Sequence, residues 1–150
     1  MVLAMGAWGT ASFENDSAID WFFRLEEAVD PGEVITLALD AAVGEADELG
    51  VEAACEAVAA AELSASCAGH GPERLPDRVR AWVEMHPHEP HDSELAVAVQ
   101  ALRRVREESE LREQWDEDFE AQGERWLREI DDLIARIGKS GAGDPAWLAP

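Results

Sequence analysis

Three histidines, His86, His88 and His91, fall within six residues, and Glu84, Glu89 and Asp92 stand beside them. Imidazole nitrogens and carboxylate oxygens so close together can bind zinc or nickel, which would make this stretch a metal-binding loop or the centre of an enzyme. Structural zinc sites usually draw ligands from two separated pairs, whereas Pro87 and Pro90 divide these histidines within one loop. The competing reading is an exposed helix connection with His86 capping the helix before it. A carboxylate-bridged di-metal bundle needs Glu-x-x-His on two helices. The residues three before the four histidines are Cys67, Val83, Met85 and His88, so that motif is absent. Glu14, Asp16 and Asp20 offer carboxylates for acid/base work, but Asn15, Asp16 and Ser17 are all suited to cap the first helix, and capping is the preferred account of Asp16.

Other catalytic signatures fail on spacing. Gly138-Lys139-Ser140 resembles the end of a phosphate loop, yet the first glycine of that motif would fall at Leu133, inside an apolar stripe and after a helix instead of a strand. Cys55 and Cys67 have no basic neighbours in sequence to make them thiolates. On one helix they would stand about 18 Å apart at about 1.5 Å per residue, beyond the reach of a disulfide. They read as small buried residues of a reducing compartment. No cofactor is implied, and the chain reads as non-catalytic.

Charge points to binding. The 150 residues carry a formal net charge of −21. Residues 1–73 hold fifteen acids against Arg24 alone, a net −14, and residues 74–150 hold eighteen against eleven Arg/Lys, a net −7. Such a field repels phosphate backbones and anionic lipid, which argues against direct nucleic-acid or membrane binding and favours a basic protein partner. The face expected to meet it comprises Glu26, Glu27, Asp40, Glu45, Asp47 and Glu48; solubility alone is the plainer explanation of the acidity. Arg103, Arg104 and Arg106 form the only basic cluster, expected to make ion pairs, with Arg104 a possible internal partner for Asp20 or Glu14. The opening Met1-Val2-Leu3-Ala4 lacks a basic leader, and no apolar run approaches the roughly 20 residues of a membrane span. The expected location is the cytoplasm, with the oligomeric state open and a structural subunit of a homo-oligomer as one alternative.

The elements that must position these groups are helices. Ala18, Trp21, Phe22, Leu25 and Val29 make a first stripe, opposite Asp20, Arg24 and Glu27. Asp30-Pro31-Gly32-Glu33 opens a second helix with Val34, Leu37, Ala38 and Ala41 inward. Residues 47–67 read as a third, alanine-rich helix, broken by Gly69-His70-Gly71-Pro72. Pro76 begins a fourth with Val79, Trp82, Val83 and His86 on one face, and Asp92-Ser93-Glu94 a fifth with Leu95, Val99, Leu102 and either Val105 or Arg106 inward. Leu111, Trp115, Phe119, Gln122, Trp126, Ile130, Leu133 and Ile137 step by three or four throughout. The spacing predicts one long helix, bent at Gly123, in preference to a hairpin turning there. No alternation of β-branched and polar residues and no hairpin dipeptide occurs. The predicted fold is all-α: a single-domain bundle of about six helices over residues 1–137, the last one long, with an irregular Gly/Trp segment at its start. A flexible tail over 138–150 ends in Trp147 and Leu148.

That irregular segment is the most distinctive stretch. Gly6 and Gly9 flank Trp8, and Phe13, Glu14, Asn15, Asp16, Asp20 and Trp21 follow. Two glycines allow positive φ values, so a tight loop can turn Trp8 and Phe13 into the end of the bundle as plugs. Met5-Gly6-x-Trp8-Gly9, then Phe13-Glu14-Asn15-Asp16 and Asp20-Trp21, resembles the start of an uncharacterised bacterial family, domain-of-unknown-function family forty-two fifty-nine, with Ala11 where that family has a third glycine. Weaker matches continue through Ala59-Ala60-Ala61-Glu62, Leu75-Pro76, Trp82, Arg104-Val105 and Ser109-Glu110-Leu111, so the resemblance covers about residues 5–137. It implies no activity.

Overall fold

The computed structural model describes residues 7, 9–44, 48–86, 88–117 and 122–139. Gly6, Trp8, Glu45, Asp47, Phe119, Trp147 and Leu148, all singled out above, lie outside the described residues, as does the tail from residue 140. The elements are α1 (Asp16–Glu27), α2 (Pro31–Val43), α3 (Val51–Cys67), α4 (Asp77–Met85), α5 (Asp92–Glu108), α6 (Glu110–Asp116) and α7 (Gln122–Gly138). Among the described residues there is no strand, only isolated bridges between Ala7 and Asn15 and between Leu49 and Ser109. Among them, too, no helix is long and apolar enough to cross a membrane.

The bundle is built around α3, which touches each of the other six helices. From Ala57 to Ala65 every residue of α3 is buried, with no solvent face at all. Alanine makes this possible, because its short side chain lets neighbouring backbones approach from all sides. A helix buried all round must also hide its polar residues. Glu62, 4% exposed, is neutralised by Arg136 of α7, 9% exposed. Arg136 Nη1 and Nη2 donate to Glu62 Oε2 and Oε1 at 2.6 and 3.1 Å, while Nε donates to Asp132 at 2.8 Å and Nη1 also to the His70 carbonyl at 3.1 Å. Ser12 Oγ donates to Glu62 Oε1 at 3.0 Å. One carboxylate thus ties α3 to α7, to the 69–76 loop and to the N-terminal segment.

Local chemistry sets the helix ends. Asn15, rather than Asp16 or Ser17, caps α1, its Oδ1 accepting from the Ala18 amide at 2.8 Å; Asp16 is the first helical residue, where its charge suits the helix dipole. Asp30 caps α2 at 3.2 Å from the Glu33 amide, with Pro31 at the first turn. The first stripe continues to Leu25, but α1 ends at Glu27 and Val29 is fully exposed. On α2 the buried residues are Ile35, Ala38, Leu39 and Ala42, so Leu37 and Ala41 face outward instead of inward. The apolar residues of α2 leave its phase open in sequence, and packing buries the larger pair, Ile35 and Leu39. Gly69 takes φ +88° just past α3, a conformation suited to glycine at a helix end.

The largest departure concerns the last stripe, which belongs to two helices. In one straight helix, Trp115 and Trp126 would lie about 16 Å apart at about 1.5 Å per residue. Instead their rings stack with centroids 6.3 Å apart and planes 16° apart. Gly123 makes the approach possible, since a Cβ there would lie 2.5 Å from the Trp115 carbonyl oxygen. The 3–4 spacing marks inward positions whether or not the helix is continuous, and so could not reveal the break.

The buried pair gives a direct test. Glu62→Ala leaves Arg136 without its buried counter-ion and should cost about 3–5 kcal/mol in urea unfolding; Glu62→Met with Arg136→Met should recover most of that loss. Cys55 and Cys67 are free thiols. Burial, with Glu56 and Glu52 beside it, pushes the Cys55 thiol up to about 12, and burial with Glu94 pushes Cys67 up to about 11. Disulfide-exchange reagent at about pH 8 should therefore leave both thiols largely unmodified until the protein is unfolded.

Candidate functional site

The N-terminal segment closes over one end of the bundle. Ala7 and Phe13 are buried, and the Phe13 ring meets Phe22 of α1 edge-on at 6.1 Å. Trp21 is buried beside Phe22 on α1, whereas Asp20 is exposed. Gly9 takes no left-handed φ; what it provides is room, because a Cβ there would lie 2.5 Å from the Glu14 carboxylate. Glu14 in turn accepts from the Ala11 amide at 3.0 Å and closes its own turn. Only about 10 Å³ of free space remains beneath, between Gly9, Cys55, Trp115 and Trp126, about enough for one water molecule.

Beside this segment opens a cleft of about 830 Å³. Its walls are Ser12 and Glu14, the loop from Gly71 to Pro76, and the Arg125–Arg136 face of α7, with Glu62 at the floor. Two glycines shape the loop: Gly69 supplies the turn, and Gly71 lies so close to α3 that a Cβ would meet Ser66 Oγ at 2.9 Å. Arg136 is already engaged by Glu62 and Asp132, whereas Arg74, Arg125 and Arg128 make no ion pair among the described residues. Ser12 is the one hydroxyl on these walls, and its proton is committed to Glu62. The cleft thus carries groups for charge recognition but no activated nucleophile among the described residues. Glu129 is pushed above the ordinary carboxyl range, first by burial and then by the carboxylates of Asp132, Glu62 and Glu14, with Arg136 opposing.

The three histidines do not converge. His86 is exposed, lies flat on Trp82 at 4.7 Å, and its Nδ1 donates to the Trp82 carbonyl at 3.0 Å, closing α4. His88 turns inward, its Nε2 3.1 Å from both oxygens of Glu94, which also accepts from Ser64 Oγ at 2.8 Å. His91 stands exposed at the start of α5. Among the described residues no group of three His, Cys, Asp or Glu side chains could hold a metal ion. Each imidazole instead has its own place in a helix connection.

The acidic residues are redistributed as well. Glu26 is half-buried and bonded to Arg78 Nε at 2.9 Å, so its charge is taken up within the fold. Glu27 and Asp40 are exposed. Glu48 joins acids of the second half of the chain: the Glu110 amide donates to the Leu49 carbonyl at 2.9 Å, bringing the 48–50 segment to the junction of α5 and α6. There Glu48, Glu107, Glu108, Glu113 and Asp116 line a second cleft of about 500 Å³, with Arg112 as its one cation among the described residues. Arg112 is bound to Asp116 at 3.1 Å and to the Arg106 carbonyl at 2.6 Å. Arg106 pairs with Asp131 of α7 at 2.7 Å. Arg104 reaches neither Asp20 nor Glu14; it donates to the carbonyls of Ala42 and Gly44 at 3.0 and 2.7 Å, and so closes the C-terminus of α2, which has no basic residue of its own.

Sequence reasoning missed the pairing of Glu62 with Arg136 and the arginines beside it. The signal was available in part, since Glu62 is the only ionisable group between Ala57 and Ala65. For Glu129, native burial raises the carboxyl pKa above its unfolded value, so its contribution to stability is present below that value and lost as pH rises through the native one. Glu129→Gln should raise the urea midpoint at about pH 7.5 and lose that advantage near pH 4.

No curated protein and no solved structure matches the chain significantly. The N-terminal motif, α1 to α6 and the first half of α7 fall within one family match, which stops short of Arg136. Through that match over residues 6–129, the chain belongs to the family described as Domain of unknown function (DUF4259).

Proposed function

We propose that this protein is a cytoplasmic, non-catalytic binding module that recognises a basic protein partner, in the manner of an inhibitor or immunity-type protein. The observation that carries the reading is the cleft formed by Glu48, Glu107, Glu108, Glu113 and Asp116, where five carboxylates face one guanidinium that is itself already paired. The surrounding net charge of −21 has the same sign, so a basic surface is drawn toward the cleft from a distance and held by the local acids. Rigidity supports the same reading. The cleft sits at a joint where Ser109 donates to the Val105 carbonyl at 2.6 Å and caps α6 by accepting from the Arg112 amide at 3.1 Å. A preformed acidic cleft loses little conformational freedom when a partner docks.

Affinity capture from native cells at low and moderate salt tests the reading. A basic protein should be retained at low salt and released as added salt shortens the screening length. The variant Glu107→Gln/Glu108→Gln/Glu113→Gln should slow its association by about tenfold or more while the unfolding midpoint stays near that of the parent. Retention that ignores salt, or that survives this variant unchanged, would sink the idea.

A further inference from the structure

We propose that the 830 Å³ cleft between the N-terminal segment, the 71–76 loop and α7 binds a small organic polyanion through Arg74, Arg125 and Arg128. The site lies apart from the α5–α6 acidic cleft and does not depend on that cleft's role. The argument begins with scarcity. The chain has twelve Lys/Arg against 33 acids, so a cation has every opportunity to find a carboxylate. Arg24, Arg78, Arg80, Arg106, Arg112 and Arg136 do so. Yet three guanidiniums on the walls of one cleft have no acid within ion-pair distance among the described residues. Guanidinium forks match carboxylate and phosphate oxygens two at a time, so the groups left unfilled are those an oxyanion would fill.

The acids sharing the cleft narrow the ligand class. Arg136 is shared by Glu62 and Asp132 and offsets one of their two charges, and Glu14 is tied to the Ala11 amide. Glu73 and Glu129 remain on the walls, so a single negative charge gains little net attraction. A ligand that engages two or three guanidiniums at once gains paired, charge-assisted contacts that a single negative charge cannot make. The volume lies within the roughly 300–1,000 Å³ of small-molecule sites, and Pro72, Leu75 and Pro76 add an apolar wall for a carbon skeleton. The shared chemistry is therefore two or more phosphate or carboxylate groups on a compact molecule.

Pyrophosphate and citrate serve as probes, measured by calorimetry and thermal shift on the full chain against sodium chloride of matched ionic strength. Saturable binding of either probe is expected, and whichever binds tighter identifies phosphate or carboxylate as the preferred group. Arg125→Gln/Arg128→Gln should weaken binding at least tenfold, while Arg24→Gln, whose partner Glu56 lies outside the cleft, should leave it unchanged. The α7 positions are exposed and bear no packing load, and Arg74→Gln on the loop gives a second variant if the double change disturbs folding. No response beyond that of sodium chloride, or a response that persists in both cleft variants, overturns the proposal.

Discussion

A negative charge at the centre of the bundle constrains everything packed around it. Glu62 lies in the middle of a helix that touches all the others, where little water reaches it. An ionised carboxylate there costs several kcal/mol in lost hydration and must be met by a cation with good geometry. Arg136 meets it with two bonds, and its remaining donors need acceptors in turn, which Asp132 and the His70 carbonyl provide. The ion pair thus fastens α7, the loop after α3 and the N-terminal segment at one point, beside the apolar packing of Trp126, Ile130, Leu133 and Phe13. Breaking such a pair is costly, whereas apolar groups of similar volume could fill the same space.

The same economy of donors and acceptors governs the helix joints. Ser109 ends α5 and opens α6 with a single hydroxyl, and Arg104 closes a helix that is neither its own nor its sequence neighbour. These joints also gather charge. The hydrogen bond from Glu110 to Leu49 draws Glu48 to acids about sixty residues further along, so the split between an acidic first half and a milder second half is not a split in space. A face assembled across two halves of a chain is stiffer than one carried on a single exposed loop, because its parts are anchored by different helices.

Much of the fold was legible in sequence. The stripe on α1 as far as Leu25, the stripes on α5 and α7, and the cap and proline that open α2 all follow from local rules that tertiary packing did not override. Where sequence reasoning strayed, the local rules were silent. An apolar helix such as α2 has no phase of its own. A 3–4 stripe survives a break in its helix, and Gly123 betrays the turn only through its approach to the Trp115 carbonyl, a contact between residues whose intervening chain carries no turn signal.

The three histidines show the limit for function. Their spacing offered a metal site, but ligation depends on where side chains converge, and the connection turns His86 to the Trp82 carbonyl, His88 to Glu94 and leaves His91 exposed. Sequence by itself determined that the chain is helical, strongly acidic and a member of an uncharacterised family, because composition, periodicity and motif are properties of neighbouring residues. Only the tertiary structure decided that Glu62 needs Arg136, that Glu48 belongs with Glu107 and Glu113, and that three arginines line one cleft without an ion-pair partner among the described residues. Those are relations between residues far apart in the chain, and the free energy of burying charge in a packed interior selects them.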